Sequence, residues 1–298
     1  MDGVMSTGSV ALDTAVNEKD LLVNDTKIEE IVSGIGIPPQ PALVTEMRAN
    51  EEDLGALVQV LKGDAAIAAS VVKVANSPFY GLAQKTASIE HAASLLGTKT
   101  VINIATSQLL RASMSSDTPG MDGFWYSTED VAKACAALTQ ELKVLPIDEA
   151  YTLGLFHNVG VALMLQKFGE TYLTVLRASY QENQGSLFAS EEQLFNCNHG
   201  QVGFFVSSSW NLPEYMGEIA LLHHDSKGLQ EGIGENSKVL YMLKMAEYFG
   251  NSHVVLGHQT QHYEWESIKS EALGVFGLSD FEYDDLEDLV RSKVAEIG

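Results

Sequence analysis

An all-α, multi-helical fold is predicted by three features of this sequence. Apolar residues recur at i, i+3, i+4 and i+7 in one segment after another, proline and glycine punctuate the joints, and no alternating apolar–polar run is long enough for a strand. The 298 residues are 45% hydrophobic, enough to bury the core of one large domain or two modest ones. A disordered or fibrous chain is excluded. Lys and Arg number 18 against 40 Asp and Glu, a formal net charge of -22. Such a molecule repels phosphate backbones, so nucleic-acid binding is not expected, whereas a protein partner carrying basic residues is. Cys135 and Cys197 lie far apart without CxxC spacing and read as buried small apolar residues in a reducing compartment. Residues 1–24 have neither a basic leader nor a sustained apolar core. Nowhere does an uncharged apolar run approach the ~20 residues that cross a bilayer. The expectation is a cytoplasmic protein without a membrane span, led by a flexible tail over 1–25.

From Thr26, Ile28, Ile31 and Val32 describe a short helix stopping at Gly34-Ile35-Gly36, after which Pro38, Pro39 and Pro41 force an extended turn. A helix starts near Pro41. Leu54, Leu57, Val58 and Leu61 give 53–61 one buried face, and Gly63-Asp64 breaks it. Ile67, Val71 and Val74 do the same for 65–75, which ends at Asn76-Ser77-Pro78 because proline cannot continue a helix. Asn76 reads as its cap. Helices near 88–96 and 99–111 follow. Ser, Asp, Thr, Pro and Gly concentrate in 113–123, dividing an N-terminal helical half, 26–118, from a second half, 119–298. There Ser127 and Asp130 form a capping box ahead of Val131, Cys135, Leu138 and Leu142. Further helices are expected near 148–168, 171–184, 186–195, 199–210, 214–224 and 236–249. Ser279 and Glu282 make a second capping box. Asp284, Asp285, Glu287 and Asp288 then precede Arg291 and Lys293, the charge order a helix dipole favours.

The stretch with most chemical meaning is Gly154-Leu155-Phe156-His157-Asn158-Val159-Gly160. It looks like a metal-dependent phosphohydrolase signature in which a His-Asp pair has become His157-Asn158. An aspartate supplies an anionic oxygen that holds a hard divalent ion and helps acidify its water, whereas an asparagine supplies a neutral carbonyl. Upstream stand Leu61-Lys62-Gly63-Asp64, Val74-Ala75-Asn76-Ser77-Pro78-Phe79-Tyr80 and Ser88-Ile89-Glu90-His91-Ala92-Ala93-Ser94-Leu95-Leu96-Gly97. Downstream stand His199-Gly200-Gln201-Val202-Gly203, Trp210-Asn211-Leu212-Pro213 and His223-His224. In this order the motifs resemble the HDOD family, the HD-related output domains of bacterial signalling proteins, over about 29–225. Ala65 stands where the family usually has proline, which bears only on a helix start. The resemblance implies an HD-like helical fold with an N-terminal helical subdomain, and a regulatory rather than catalytic role. Family members are often fused to receiver or cyclic-dinucleotide modules; this sequence carries none, so its input is expected to arrive by binding.

His157, Asn158, His199, His223, His224 and Glu247 fall at positions that resemble the later ligands of HD enzymes. The earlier helix that also supplies a histidine in those enzymes contains none here over 127–145. No catalytic residue is therefore assigned, no cofactor is expected beyond a weakly held, vestigial divalent ion, and the ligand-binding residues stay unidentified. Each histidine also has an ordinary reading. His157 at a helix end would hydrogen-bond a carbonyl, and His199 after a capping Asn198 would be a partly exposed first-turn residue. Adjacent residues such as His223 and His224 point ~100° apart on a helix, so sharing an ion requires a helix end. His258-Gln259-Thr260-Gln261-His262 has zincin spacing but glutamine where the general base must be. Ser207, Ser208 and Ser209 have no nucleophile elbow, and Trp210 should pack between helices. The sequence thus reads as a non-catalytic signal-transduction output module that binds a partner signalling protein or a small ligand. The alternative is a metal-dependent phosphohydrolase acting on a nucleotide or phosphoester.

Overall fold

The computed structural model describes residues 34–82, 84–181, 186–224 and 236–296, which contain helices, a short 3-10 turn and no strand. The tail expected over 1–25 and the helix expected from Thr26 lie outside the described residues; Gly34 and Ile35 are helical where the description begins. Helix α1 (Ala42–Ala49) follows the proline turn, and α2 (Leu54–Lys62) and α3 (Ala65–Ala75) start at Asp53 and Asp64. Asp53 accepts from the Ala56 amide, and Asp64 from those of Ala66 and Ile67, each cap contributing ~1 kcal/mol. Asn76 ends α3 and reaches over the loop beyond: its Nδ2 donates to Thr86 O and its Oδ1 accepts from Thr86 N, both at 2.8 Å. That clasp closes the segment containing the 3-10 turn Pro78–Tyr80. Ser88 caps α4 (Ile89–Leu96), and α5 is Thr98–Ala112.

Helix α6 (Met121–Leu142) departs from the sequence reading by starting at Met121 rather than at Ser127. Ser127 is buried, and its hydroxyl donates to Ser252 Oγ at 3.2 Å instead of capping. Burial of Met121, Phe124 and Trp125 extends the helix through the local capping signal, because packing outweighs a cap.

The single helix expected over 148–168 is two, α7 (Ile147–Phe156) and α8 (Val159–Phe168), with Asn158 at φ -106°, ψ 17° between them. Two glycines explain the break. A Cβ on Gly154 would lie 2.4 Å from Ala132 Cα on α6, and one on Gly160 would lie 1.9 Å from His199 O at the start of α11 (His199–Ser209). The chain presses on one helix and then on another, and the turn at 157–158 lets it do both. Helix α9 (Glu170–Ser179) ends before the predicted 184, and residues 182–185 lie outside the described ones. The remaining elements are α10 (Leu187–Phe195), α12 (Glu214–Leu222), α13 (Asn236–Phe249), α14 (Ser252–Val255), α15 (Tyr263–Phe276) and α16 (Asp280–Ala295). The Ser279/Glu282 capping box opens α16 as expected.

Helix α6 is the axis, packed against α7, α8, α13, α14 and α16. One of its faces (Phe124, Trp125, Ala132) joins the apolar cluster of α1–α5, α8 and α9, and the other (Val131, Cys135, Leu138) joins that of α7, α13, α15 and α16. Cys135 and Cys197 are free and buried. Trp210 is fully buried; its Nε1 donates to Pro38 O at 2.9 Å, while Gln40 and Arg48 donate to its carbonyl, tying the proline turn to the end of α11. His258 is in a loop at φ 54° and His262 is the N-cap of α15, so the two do not share a helical turn and zincin chemistry has no support. No described helix is long and apolar enough to cross a membrane.

The close approach of α8 to α11 gives a direct test. Gly160→Ala should cost more than ~3 kcal/mol, because the obstacle is backbone. Gly274→Ala on α15, where nothing lies within 4 Å of the added carbon, should be neutral or stabilising by up to ~1 kcal/mol. Urea midpoints of the two variants check both signs, and a well-tolerated Gly160→Ala would contradict the packing described.

Candidate functional site

The break between α7 and α8 makes His157 the C-cap of one helix and Asn158 the N-cap of the next, and both are buried. Asn198 and Gln201 form a capping box that fixes His199 at the first position of α11. His199 is fully buried, not partly exposed as its first-turn position suggested, because α10 lays Phe188 over it at a ring separation of 4.8 Å. Phe188 also covers His223 at 5.6 Å and His224 at 5.3 Å. Helix α12 ends at His223, its C-cap. That helix end brings the His223 and His224 rings to 4.3 Å. From α13, Lys244 and Glu247 project one turn apart, both buried.

Hydrogen bonds fix the tautomers. His157 Nδ1 lies 2.9 Å from Gly154 O and His223 Nδ1 lies 2.8 Å from Ala220 O; a carbonyl only accepts, so each Nδ1 carries the proton. His199 Nδ1 faces the Glu191 carboxylate at 2.8 and 2.9 Å, and Tyr172 Oη donates to the same carboxylate at 2.6 Å. In the neutral rings every Nε2 is therefore a bare lone pair. The Nε2 atoms of His199 and His223 are 3.2 Å apart, and Asn158 Oδ1 lies 2.8 Å from that of His223. Burial first, then His224 and Lys244, holds His223 well below its ordinary pKa, so protonation of His223 itself is disfavoured.

Charge is balanced beside this cluster rather than within it. The Lys244 ammonium lies 2.9 Å from Glu247 Oε2 and 3.0 Å from Glu264 Oε1, and 3.1 Å from His224 Nδ1. Burial works against both charges, yet Glu247 and Glu264 raise the Lys244 pKa, and Lys244 with His157 holds Glu247 well below the carboxylate range. Glu247 Oε1 also lies 3.4 Å from His157 Nε2 and accepts from Asn158 Nδ2 at 3.3 Å. Asn158 thus gives its amide hydrogens to Glu247, while its oxygen abuts the His223 lone pair.

Among the described residues, His199, His223 and His224 bring ligand nitrogens within 4.8 Å of one another. Two nitrogens each ~2.0–2.1 Å from a tetrahedral ion are ~3.3 Å apart, close to the His199–His223 separation of 3.2 Å. The Nδ1–H···O contacts of His199 and His223 are the outer-shell orientation that metal-binding imidazoles require. Were a divalent ion bound here, these three residues would hold it. They do not fit a hydrolytic centre. The carboxylate position is an amide, Glu247 and His157 turn to each other, and His224, whose Nδ1 donates to Glu264 Oε1 at 2.8 Å, stands beside the Lys244 ammonium, whose charge opposes a cation there.

The structure brings His157, Asn158, His199, His223, His224 and Glu247 into one network, and adds Glu191, Tyr172, Lys244 and Glu264, which sequence reasoning missed. Lys244 left a signal: it is a lone charge inside the apolar run Leu240–Ala246, with Glu247 at i+3, and such a residue is buried only when paired. Glu191, Tyr172 and Glu264 come from other elements and carry no comparable local mark.

The sequence matches the HDOD domain family over residues 37–226. An HDOD domain protein from Geobacter sulfurreducens shares 23% identity with a TM-score of 0.67, covering 91% of this chain and 94% of that one. A Shewanella amazonensis SB2B protein named as a candidate phosphohydrolase shares 21% identity with a TM-score of 0.63 over the same shares of 91% and 94%. A Marinobacter aquaeolei VT8 protein named as a candidate signal transduction protein has 20% identity and a TM-score of 0.60, covering 97% of this chain and 67% of that one. An uncharacterized protein of Treponema pallidum (strain Nichols) is 22% identical over 196 residues, 63% of this chain and 38% of that protein's length.

The Lys244–Glu247 pair is the most exposed to test. Lys244→Met leaves Glu247 buried without its cation and should cost ~3–5 kcal/mol in urea unfolding. Adding Glu247→Gln should restore a large part of the loss; additive losses from the two substitutions would show that the pair is not coupled.

Proposed function

The chain belongs to the HDOD family, and on that premise we propose that it is a non-catalytic signal-transduction output module working by binding a partner signalling protein or a small ligand. The observation that carries this reading is Asn158. Its amide spans 2.8 Å to His223 and 3.3 Å to Glu247, where an HD enzyme would place an anionic metal ligand. Lys244 supports it, since the positive charge beside Glu247 is already supplied by the protein at 2.9 Å. A metal water acidified for attack needs an ion held by anionic oxygen in an open position, and here Phe188 and the burial of His157, His199 and His223 close the centre from the described side. The net charge of -22 favours a basic protein surface as partner, and the chain acts in the cytoplasm.

Restoring the missing carboxylate should not restore chemistry. In Asn158→Asp the new carboxylate lies beside the His223 lone pair and also meets Glu247 Oε1, from which the amide donor has been removed. Hydrolysis of a generic phosphoester and of cyclic dinucleotides, with and without Mn²⁺ or Fe²⁺, should be absent in the parent and in Asn158→Asp. Turnover by the parent would overturn the non-catalytic reading. Turnover by the variant alone would show that Asn158 was the one missing piece.

A further inference from the structure

Helices α3 and α5 meet α6 and α7 around a cavity of about 120 Å³ that has no part in the histidine network. Its wall is mixed: apolar Val74, Ile104 and Leu155 stand beside Lys73 from α3, Ser107 and Gln108 from α5, and Glu129 and Lys133 from α6. Lys133 is 7% exposed, and its Nζ has one carboxylate partner among the described residues, Asp130 Oδ1 at 2.8 Å. An ammonium offers three donors, and a nearly buried one is stable only when they find acceptors. Ser107, 4% exposed, makes no side-chain hydrogen bond to a described residue. Glu129, the carboxylate in the wall, is bracketed by Lys73 at 3.5 Å and Arg111 at 3.2 Å. Three cations therefore face two carboxylates, Glu129 and Asp130, and the seam is left with a net positive charge.

We infer that this cavity binds a compact oxyanion, a phosphate or a short carboxylate, between Lys133 and Lys73 with Ser107 and Gln108 as further donors. Size restricts the class. The volume is about four times the ~30 Å³ share of a liquid water and well below the ~300–1,000 Å³ that drug-sized ligands occupy. Lys133 is the inner charge, and Lys73, whose side chain is 57% exposed, stands at the rim where an anion enters. An oxyanion here touches helices on both sides of the seam, so occupancy is coupled to how α3 and α5 sit on α6 and α7. This names a ligand class for the binding role proposed above and rests on that reading.

Inorganic phosphate and, separately, acetate are titrated into the full chain at fixed ionic strength, with chloride as the control anion. Binding is read by calorimetry and by the rise of the unfolding midpoint. Saturable binding of one of the two is expected, weakened about tenfold or more in Lys133→Met, which keeps the aliphatic stem, and in Lys73→Gln, an exposed change that cannot unfold the protein. Phosphate binding alone assigns a phosphate ligand, and acetate binding alone a carboxylate. Binding of neither at ~10 mM, or binding unchanged in both variants, overturns the site. The readout is occupancy, so hydrolysis by the parent would overturn the non-catalytic reading while leaving this cavity standing, and failure to bind would do the reverse.

Discussion

An ammonium withdrawn from water is the most demanding group in this fold, and the arrangement of its second half follows from satisfying it. Lys244 is fully buried, so Glu247 on the same helix and Glu264 from α15 must stay charged beside it. Glu247 in turn needs a donor for its other oxygen, and the Asn158 amide supplies it. That fixes the turn between α7 and α8, which fixes His157 and Asn158 against α11 and α12. The histidines are thus held by a chain of charge and hydrogen bonding that begins at a lysine rather than at an ion.

The same chain of contacts bears on the non-catalytic reading proposed for this HDOD domain. An aspartate at 158 would bring a further negative charge toward Glu247, whereas the asparagine amide donates to it. The outer supports of a metal site persist: Glu191 orients His199, Tyr172 orients Glu191, and Ala220 O orients His223. Such supports rigidify the junction of α8, α10, α11 and α12 whether or not an ion is bound. A rigid centre of this kind suits a module whose output is a surface. The seam between α3, α5, α6 and α7, with its surplus of cations, is where the proposed oxyanion would touch both groups of helices.

Much of the fold was legible because helix periodicity and caps are local. Asp53, Asp64, Ser88, Asn198 and Ser279 all cap where side-chain chemistry places them. Two of the departures are places where packing overrides a local signal. Ser127 looks like a cap and is instead buried on Ser252, and 148–168 looks continuous until Gly154 and Gly160 are pressed against different helices. The candidate ligands were legible from the order of motifs, and their convergence at helix ends agrees with what adjacent histidines require. Their partners were not, because Glu191 and Glu264 are brought in by tertiary contacts with no periodic trace. Lys244 was legible in principle, as an isolated charge in an apolar run.

The central claim is that the positive charge at this centre is supplied by Lys244 and that the imidazoles are not a working metal site. Elemental analysis of the full chain purified without chelator tests it most directly. The account predicts well under one transition-metal ion per chain, unchanged after dialysis against Zn²⁺ or Mn²⁺ followed by buffer. One tightly held ion per chain, with His199, His223 and His224 at the ~2.0–2.1 Å of imidazole ligation, would contradict it.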